Sequence, residues 1–204
     1  MSFWTYNGIK RTAADVTHLP NVVKAQTITG HKFRNILFLW EALQAPGSAV
    51  DSIDGRPLVR GNMRIAIVGD AVLTAVLSQE WFSFDKHAQM GKSTRPDYHW
   101  SILIVYDTGY WQTEWRNRLL SDERLAELAK GIDLTSCLCK KPMQPDQTVP
   151  GMKQSASLFE AVAGAIYLDA DHDTNAVKKF IEKVGLLAEG RLGSAAVMLG
   201  LAEN

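Results

Sequence analysis

The stretch from Gly61 to Phe82 constrains this chain most. Its first part, Gly61-Asn62-Met63-Arg64-Ile65-Ala66-Ile67-Val68-Gly69-Asp70-Ala71-Val72-Leu73, is almost wholly apolar yet carries one arginine and one aspartate. An apolar run of this length reads as a helix buried on most sides. A carboxylate inside such a helix is costly unless it is paired or holds a metal. Asp70 is therefore expected to pair with Arg64 or another base, or to serve chemistry.

At 204 residues and 46% apolar content, the chain can bury one substantial core, and one domain is the default. Its formal net charge is +0, so no global field advertises nucleic-acid binding and any RNA contact has to come from a local patch. The two cysteines, Cys137 and Cys139, are too few for a disulfide framework and lack the second ligand pair of a zinc site. Reduced, partly buried thiols suit an intracellular compartment; cytoplasm, nucleus and mitochondrion stay undistinguished. No apolar segment is expected to reach the roughly 18 residues of a membrane span, and no membrane partner is expected. The start, Met1-Ser2-Phe3-Trp4-Thr5-Tyr6, has no basic region before an apolar core and does not read as a secretory signal.

Residues 1–20 read as an N-terminal arm, lying across the body or frayed. Asn21–Thr29 reads as a short helix stopped by Gly30. Phe33, Ile36, Leu37 and Trp40 recur at helical spacing through Leu43, up to Pro46-Gly47. Residues 46–60 read as a surface loop. After the long apolar helix comes an insertion over 83–110, where Ser101–Tyr106 has strand character. Trp111–Ser121 and Asp122–Ala129 read as helices, the second capped by Ser121 or Asp122 and stopped by Gly131. Residues 141–154 read as loop and Ser157–Leu168 as an apolar helix. Ala176–Leu187 and Ala195–Ala202 close the chain. The main domain is thus placed at 21–187, with 188–204 packing on it as a C-terminal helix. No repeat or low-complexity tract interrupts it.

Several strings, in order, resemble the ribonuclease III family. Gly30-His31-Lys32-Phe33 with Trp40-Glu41-Ala42-Leu43 is similar to its G-Y-x-F…L-x-x-A-L opening. Asn62, Arg64, Gly69, Asp70, Ala71, Val72 and Leu73 match its signature N-E-R-L-E-F-L-G-D-A-V-L. Thr113-x-x-Arg116 and Leu119-Leu120-Ser121-Asp122-x-x-Leu125-Ala126 resemble L-T-x-x-R-x-x-L-V-S-N-x-x-L-A. Leu158-Phe159-Glu160-Ala161-Val162-Ala163-Gly164-Ala165-Ile166-Tyr167-Leu168-Asp169 resembles the D-x-F-E-A-x-x-G-A-I-Y-L-D helix, nearest to the Dicer branch. The resemblance spans about residues 21–185 and implies an all-α, ribonuclease III endonuclease-like fold that pairs as a homodimer. Too few residues follow it for the double-stranded RNA-binding domain that often comes next in the family.

The resemblance implies hydrolysis of phosphodiesters in double-stranded RNA, with divalent ions generating hydroxide and neutralising the leaving oxygen. Mg²⁺ needs near-octahedral oxygen ligation from carboxylates and waters. The family supplies carboxylates at i and i+4 on the signature helix and at i and i+3 on the third, spacings that share a helical face. Here Asp70 and Glu160 are kept, but Ala66 and Ser157 stand in their partners' places, and Met63 replaces an accessory glutamate. The acidic position before Thr113 falls at Thr108 or Gly109, with Asp107 close by. An alanine methyl cannot ligate a metal, and a neutral hydroxyl is a poor Mg²⁺ ligand.

Loss of efficient cleavage is therefore expected, with Asp70 and Glu160 vestigial and held by Asn62, Arg64 or Lys153. No cofactor is expected; Mg²⁺ or Mn²⁺ on Asp70 and Glu160 would accompany residual activity. Lys153 sits where relatives carry a lysine near the cleavage site, and with Arg116, Lys92 and Arg95 it is a candidate RNA contact. Ile67 occupies the position where the family inserts a bulky apolar residue into its partner. Asp169, Asp171, His172 and Asp173 have no defined ligand spacing and read as a solvated turn. The expected role is binding of structured or double-stranded RNA, alone or among ribonucleoprotein or ribosomal partners. The alternatives are an endonuclease with altered ligands, recruiting Asp107 or Glu114, and a dimeric protein-interaction scaffold.

Overall fold

The computed structural model describes residues 10–88, 116–140 and 150–187. The expected strand Ser101–Tyr106, the bases Lys92 and Arg95, the acids Asp107 and Glu114, and the helix Ala195–Ala202 lie outside the described residues.

The described chain is mostly helical. Strand β1 (Lys10–Arg11) and the single turn α1 (Ala13–Val16) lead into α2 (Pro20–Thr29) and α3 (Ile36–Ala42). Pro20 opens α2 where its missing N–H costs nothing, and Gly30 closes it. Two-residue strands β2 (Ser52–Ile53) and β3 (Arg56–Pro57) follow, then the long helix α4 (Met63–Ala88). After the insertion come α5 (Asp122–Gly131), a 3-10 turn (Leu134–Cys137), α6 (Met152–Asp169) and α7 (Thr174–Lys183).

Several expected boundaries move. Residues 10–20 are built into the body: β1 pairs in parallel with β2, and Val16 is fully buried. Residues 46–60 hold an antiparallel hairpin, with Ser52 opposite Pro57 and Ile53 opposite Arg56. Its turn is Asp54-Gly55, both at positive φ, a dipeptide that favours hairpins. Residues 83–88 continue α4 instead of opening the insertion. Ser121 caps α5 by accepting from the Arg124 N–H at 3.2 Å, while Gly131 is its last helical residue. Helix α6 starts at Met152, well before Ser157, because Gly151 caps it and its first turn is polar, outside the apolar periodicity.

The centre of the fold is the crossing of α4 and α6. A Cβ on Gly69 would stand 1.7 Å from the Glu160 carbonyl oxygen, and one on Gly164 would stand 2.3 Å from the Ile65 carbonyl oxygen. Only glycine at both positions lets the two backbones meet this closely. Leu73, Val76 and Leu77 of α4 join Phe159, Leu158 and Ile166 of α6 in the core, which α5 completes with Leu125 and Ala129. Phe159 also stacks on Phe180 of α7, ring centres 5.2 Å apart.

Helix α4 is not buried on most sides, as its composition suggested. It buries one face and leaves Met63, Ile67 and Phe82 exposed on the other, Ile67 to 71%. By length and composition alone, Met63–Ser83 is also apolar enough to cross a membrane, contrary to expectation. Its packing on α6 makes it the core helix of this domain.

The acidic cluster after α6 is not a solvated turn throughout. Asp169 is buried. Its carboxylate accepts from the backbone N–H groups of Arg34 (3.0 Å) and Asn35 (2.7 Å) and lies 2.8 Å from His31 Nε2. It thereby fastens the start of α3 to the end of α6. Asp171 is exposed and pairs with Arg34 at 2.8 Å, and Asp173 caps α7 by accepting from the Asn175 N–H at 2.9 Å. On the other side of α3, buried Glu41 pairs with Arg56 of β3 and ties down the hairpin.

Candidate active site

The Gly69–Glu160 contact brings Asp70 and Glu160 to one surface hollow of about 270 Å³, lined also by Met63, Ala66, Ile67 and Ser157. The helical spacings explain this assembly. Ala66 lies one turn before Asp70 on α4, and Ser157 one turn before Glu160 on α6, so four positions converge on one concavity. Two of the four carry no charge. These are the four positions that the resemblance to the ribonuclease III motifs marks in the sequence.

Among the described residues, none of the partners expected for the acids pairs with Asp70 or Glu160. Asp70 is exposed, and no described residue hydrogen-bonds or ion-pairs with it. Asn62 is buried: its Nδ2 donates to the Ala42 carbonyl at 2.9 Å, and its backbone N–H to the Gln44 carbonyl at 2.7 Å. Arg64 is exposed on α4 and does not line the hollow. Asp70 thus escapes the burial that would demand a counter-ion, because its position on α4 faces outward.

Glu160 is half-buried, and its pKa is raised to about 7. Desolvation is the largest cause, followed by the charge of Asp70 and then that of Asp122. Burial and like charge both disfavour the ionised form. Asp122 is the group that sequence reasoning missed, because its place at the start of a helix marks it only as a cap. It stands where the family pattern has the asparagine of S-N, and an aspartate at that position is the signal that could have found it.

Lys153, on the first turn of α6, lines an adjoining, mostly apolar hollow of about 240 Å³ with Asn62, Met63, Leu138 and Ser157. Met63 and Ser157 border both hollows, so Lys153 neighbours the carboxylates without an ion pair to either among the described residues. Arg116 is exposed and lines neither hollow. Cys137 and Cys139 are free thiols, both pushed up by burial, and the Asn21 side-chain amide donates to Cys139 Sγ at 3.1 Å. Cys137 belongs to the core and Cys139 packs against it.

The donor set can be tested against a divalent ion. Among the described residues, no group of three or more His, Cys, Asp or Glu is placed to hold a metal. The hollow offers two carboxylates beside a methyl and a hydroxyl. This set does not fit the oxygen cage that Mg²⁺ requires.

Residues 54–187 match the family model described as Ribonuclease-III-like. The chain belongs to the ribonuclease III-like family. It is 32% identical to Ribonuclease 3 of Pseudomonas putida over 118 residues, covering 56% of this chain and 42% of that protein. Against Ribonuclease 3 of Oleidesulfovibrio alaskensis it is 28% identical over 152 residues, 73% of this chain and 56% of that one. The chain thus spans about half the length of the curated relatives it matches. The nuclease domain of ribonuclease III from Campylobacter jejuni superposes with a TM-score of 0.56 at 18% identity, covering 82% of this chain and 95% of that domain. A second structure of that domain, described as flexible in a region involved in dimer formation, gives 0.54 at 18% identity, covering 80% and 96%. These likenesses settle the fold as that of a ribonuclease III nuclease domain.

Proposed function

We propose that this ribonuclease III-like domain has lost efficient cleavage of double-stranded RNA and acts, as a homodimer, by binding structured RNA or within a ribonucleoprotein. The observation that carries this reading is the replacement inside the hollow. Ala66 and Ser157 occupy, beside Asp70 and Glu160, the places where two further anionic ligands would stand. With two carboxylates where the family has four, the site lacks the anionic ligands that would hold the divalent ions used in phosphodiester hydrolysis. Dimerisation is supported by exposed Ile67 and Met63 on α4, an unpaired apolar face of the kind that self-association covers. Double-stranded RNA as ligand follows from the family, and its contacts would come from local bases such as Lys153.

The test is incubation of purified protein with long double-stranded RNA in Mg²⁺ or Mn²⁺, alongside a mobility-shift titration. A shift without cleavage is expected. Cleavage that Asp70→Ala abolishes would refute the loss. The second reading, cleavage through altered ligands, has one specific support: Asp122 is close enough for its charge to act on Glu160. In that case Asp122→Asn would abolish turnover as fully as Asp70→Ala.

A further inference from the structure

At the far end of α6 from the carboxylates, a second concavity of about 390 Å³ opens between the α2–α3 connection and α7. Glu160 lies roughly 13 Å back along the helix from Asp169, at about 1.5 Å per residue, so the two sites are separate. Lys32, Lys179 and Lys183 line this concavity, with His31 at its edge and Asp173 as its one carboxylate. The construction is specific. Lys179 and Lys183 lie one turn apart on α7 and share a face. Lys183 is drawn inward by donating to the Thr27 carbonyl at 2.9 Å, which leaves two of its three N–H groups available. Its side chain lies over Gly30, whose φ is +70° and where a Cβ would stand 2.8 Å from Lys183 Nζ. Lys32 and Lys179 are exposed, and no described residue forms an ion pair with either. The floor is the buried ring of Phe180. Asp173 accepts from the Asn175 N–H and side-chain amide, so three lysines line the hollow against one carboxylate that is already hydrogen-bonded.

We infer that this concavity is a phosphate-binding subsite, formed by Lys32, Lys179 and Lys183, that takes a tetrahedral phosphate group. The overall charge is +0, so phosphate affinity must be local, and here unpaired ammonium groups are gathered in a hollow large enough for such an anion. The phosphate is either a backbone phosphate of RNA, in which case the inference rests on the proposed RNA binding, or free inorganic phosphate.

The experiment compares wild type, Lys32→Gln/Lys179→Gln and the control Lys130→Gln, an exposed lysine elsewhere on the surface. One arm titrates inorganic phosphate and follows the amide shifts of Gly30, His31 and Lys32. The other measures double-stranded RNA affinity against salt. A backbone phosphate predicts a salt slope lower by about one in the double variant, with affinity down about threefold to tenfold, and no change in the control. Phosphate-induced shifts that vanish in the double variant, without any RNA binding by wild type, support the subsite with free phosphate as its source and sink the RNA reading instead. If wild type shows no phosphate shifts and the double variant leaves the RNA slope unchanged, or RNA is not bound either, the subsite is overturned.

Discussion

The alpha carbon of Gly69 on α4 lies against the carbonyl of Glu160 on α6, leaving no room for a side chain between them: a Cβ would sit 1.7 Å from that oxygen. The neighbour of one residue is Asp70 and the other bears its own carboxyl group, so the contact that holds the core together also sets the two acids side by side. Stability and site geometry share one point of closest approach.

Gly69→Ala is therefore expected to be severely destabilising. The opposing oxygen belongs to the backbone of a packed helix, which cannot swing aside, and forced overpacking costs about 1–3 kcal/mol and at times more. Urea unfolding should show a loss of unfolding free energy at or above the top of that range. A neutral result would mean that α4 and α6 do not cross here.

The proton on Glu160 makes stability pH-dependent. Its folded pKa, about 7, lies above the ordinary carboxyl value of 4.5, so the folded protein binds more protons than the unfolded chain between those values. Stability from this group is fully present below about pH 4.5 and is lost as pH rises through 7. Glu160→Gln should thus raise the urea midpoint at pH 8 and change little at pH 4.5. Asp70→Asn, which removes the second cause of the shift, should move the Glu160 carboxyl ¹³C titration to lower pH. An unmoved titration would show that the two charges do not interact.

Restoring the missing donors should restore ion binding. The variant Ala66→Glu/Ser157→Asp places carboxylates one turn before Asp70 and Glu160. Divalent affinity is expected to rise about 10–100-fold, the scale on which even outer contacts tune metal sites. Mn²⁺ titration by calorimetry reads this directly, and no gain over wild type would count against a vestigial metal cleft.

Ile67→Asp tests the proposed dimer face. Ile67 is largely exposed, so the monomer should fold normally, while an unpaired charge in an apolar interface costs several kcal/mol. Self-association should weaken by about 100-fold or more, a cost of about 3 kcal/mol, in sedimentation equilibrium. An unchanged oligomeric state would place the interface elsewhere.

Asp169→Ala should cost about 2–4 kcal/mol, because it leaves the N–H groups of Arg34 and Asn35 and the His31 ring without their acceptor. Circular dichroism melting gives the loss. A change within a few tenths would mean that this end of α6 is solvated after all.

The helical family fold is legible in the order and spacing of the motifs alone. Offsets of i, i+3 and i, i+4 place Ala66 with Asp70 and Ser157 with Glu160 on one face of each helix. Those are local, periodic properties, and helix geometry converts them directly into direction. That Ala66 and Ser157 stand where acids are usual comes from the resemblance to the family motifs.

Tertiary structure decided the rest, because burial and charge environment depend on what comes from elsewhere in the chain. Nothing local says that Asp70 faces outward while Asp169 is buried under the α3 entry, since both are aspartates in apolar helices. The charge of Asp122 reaches Glu160 only because α5 packs beside α6, and Lys32 meets Lys179 and Lys183 across about 150 residues of sequence because the chain returns to the same place. Periodicity fixes which way a side chain points from its own helix; only packing determines what it finds there.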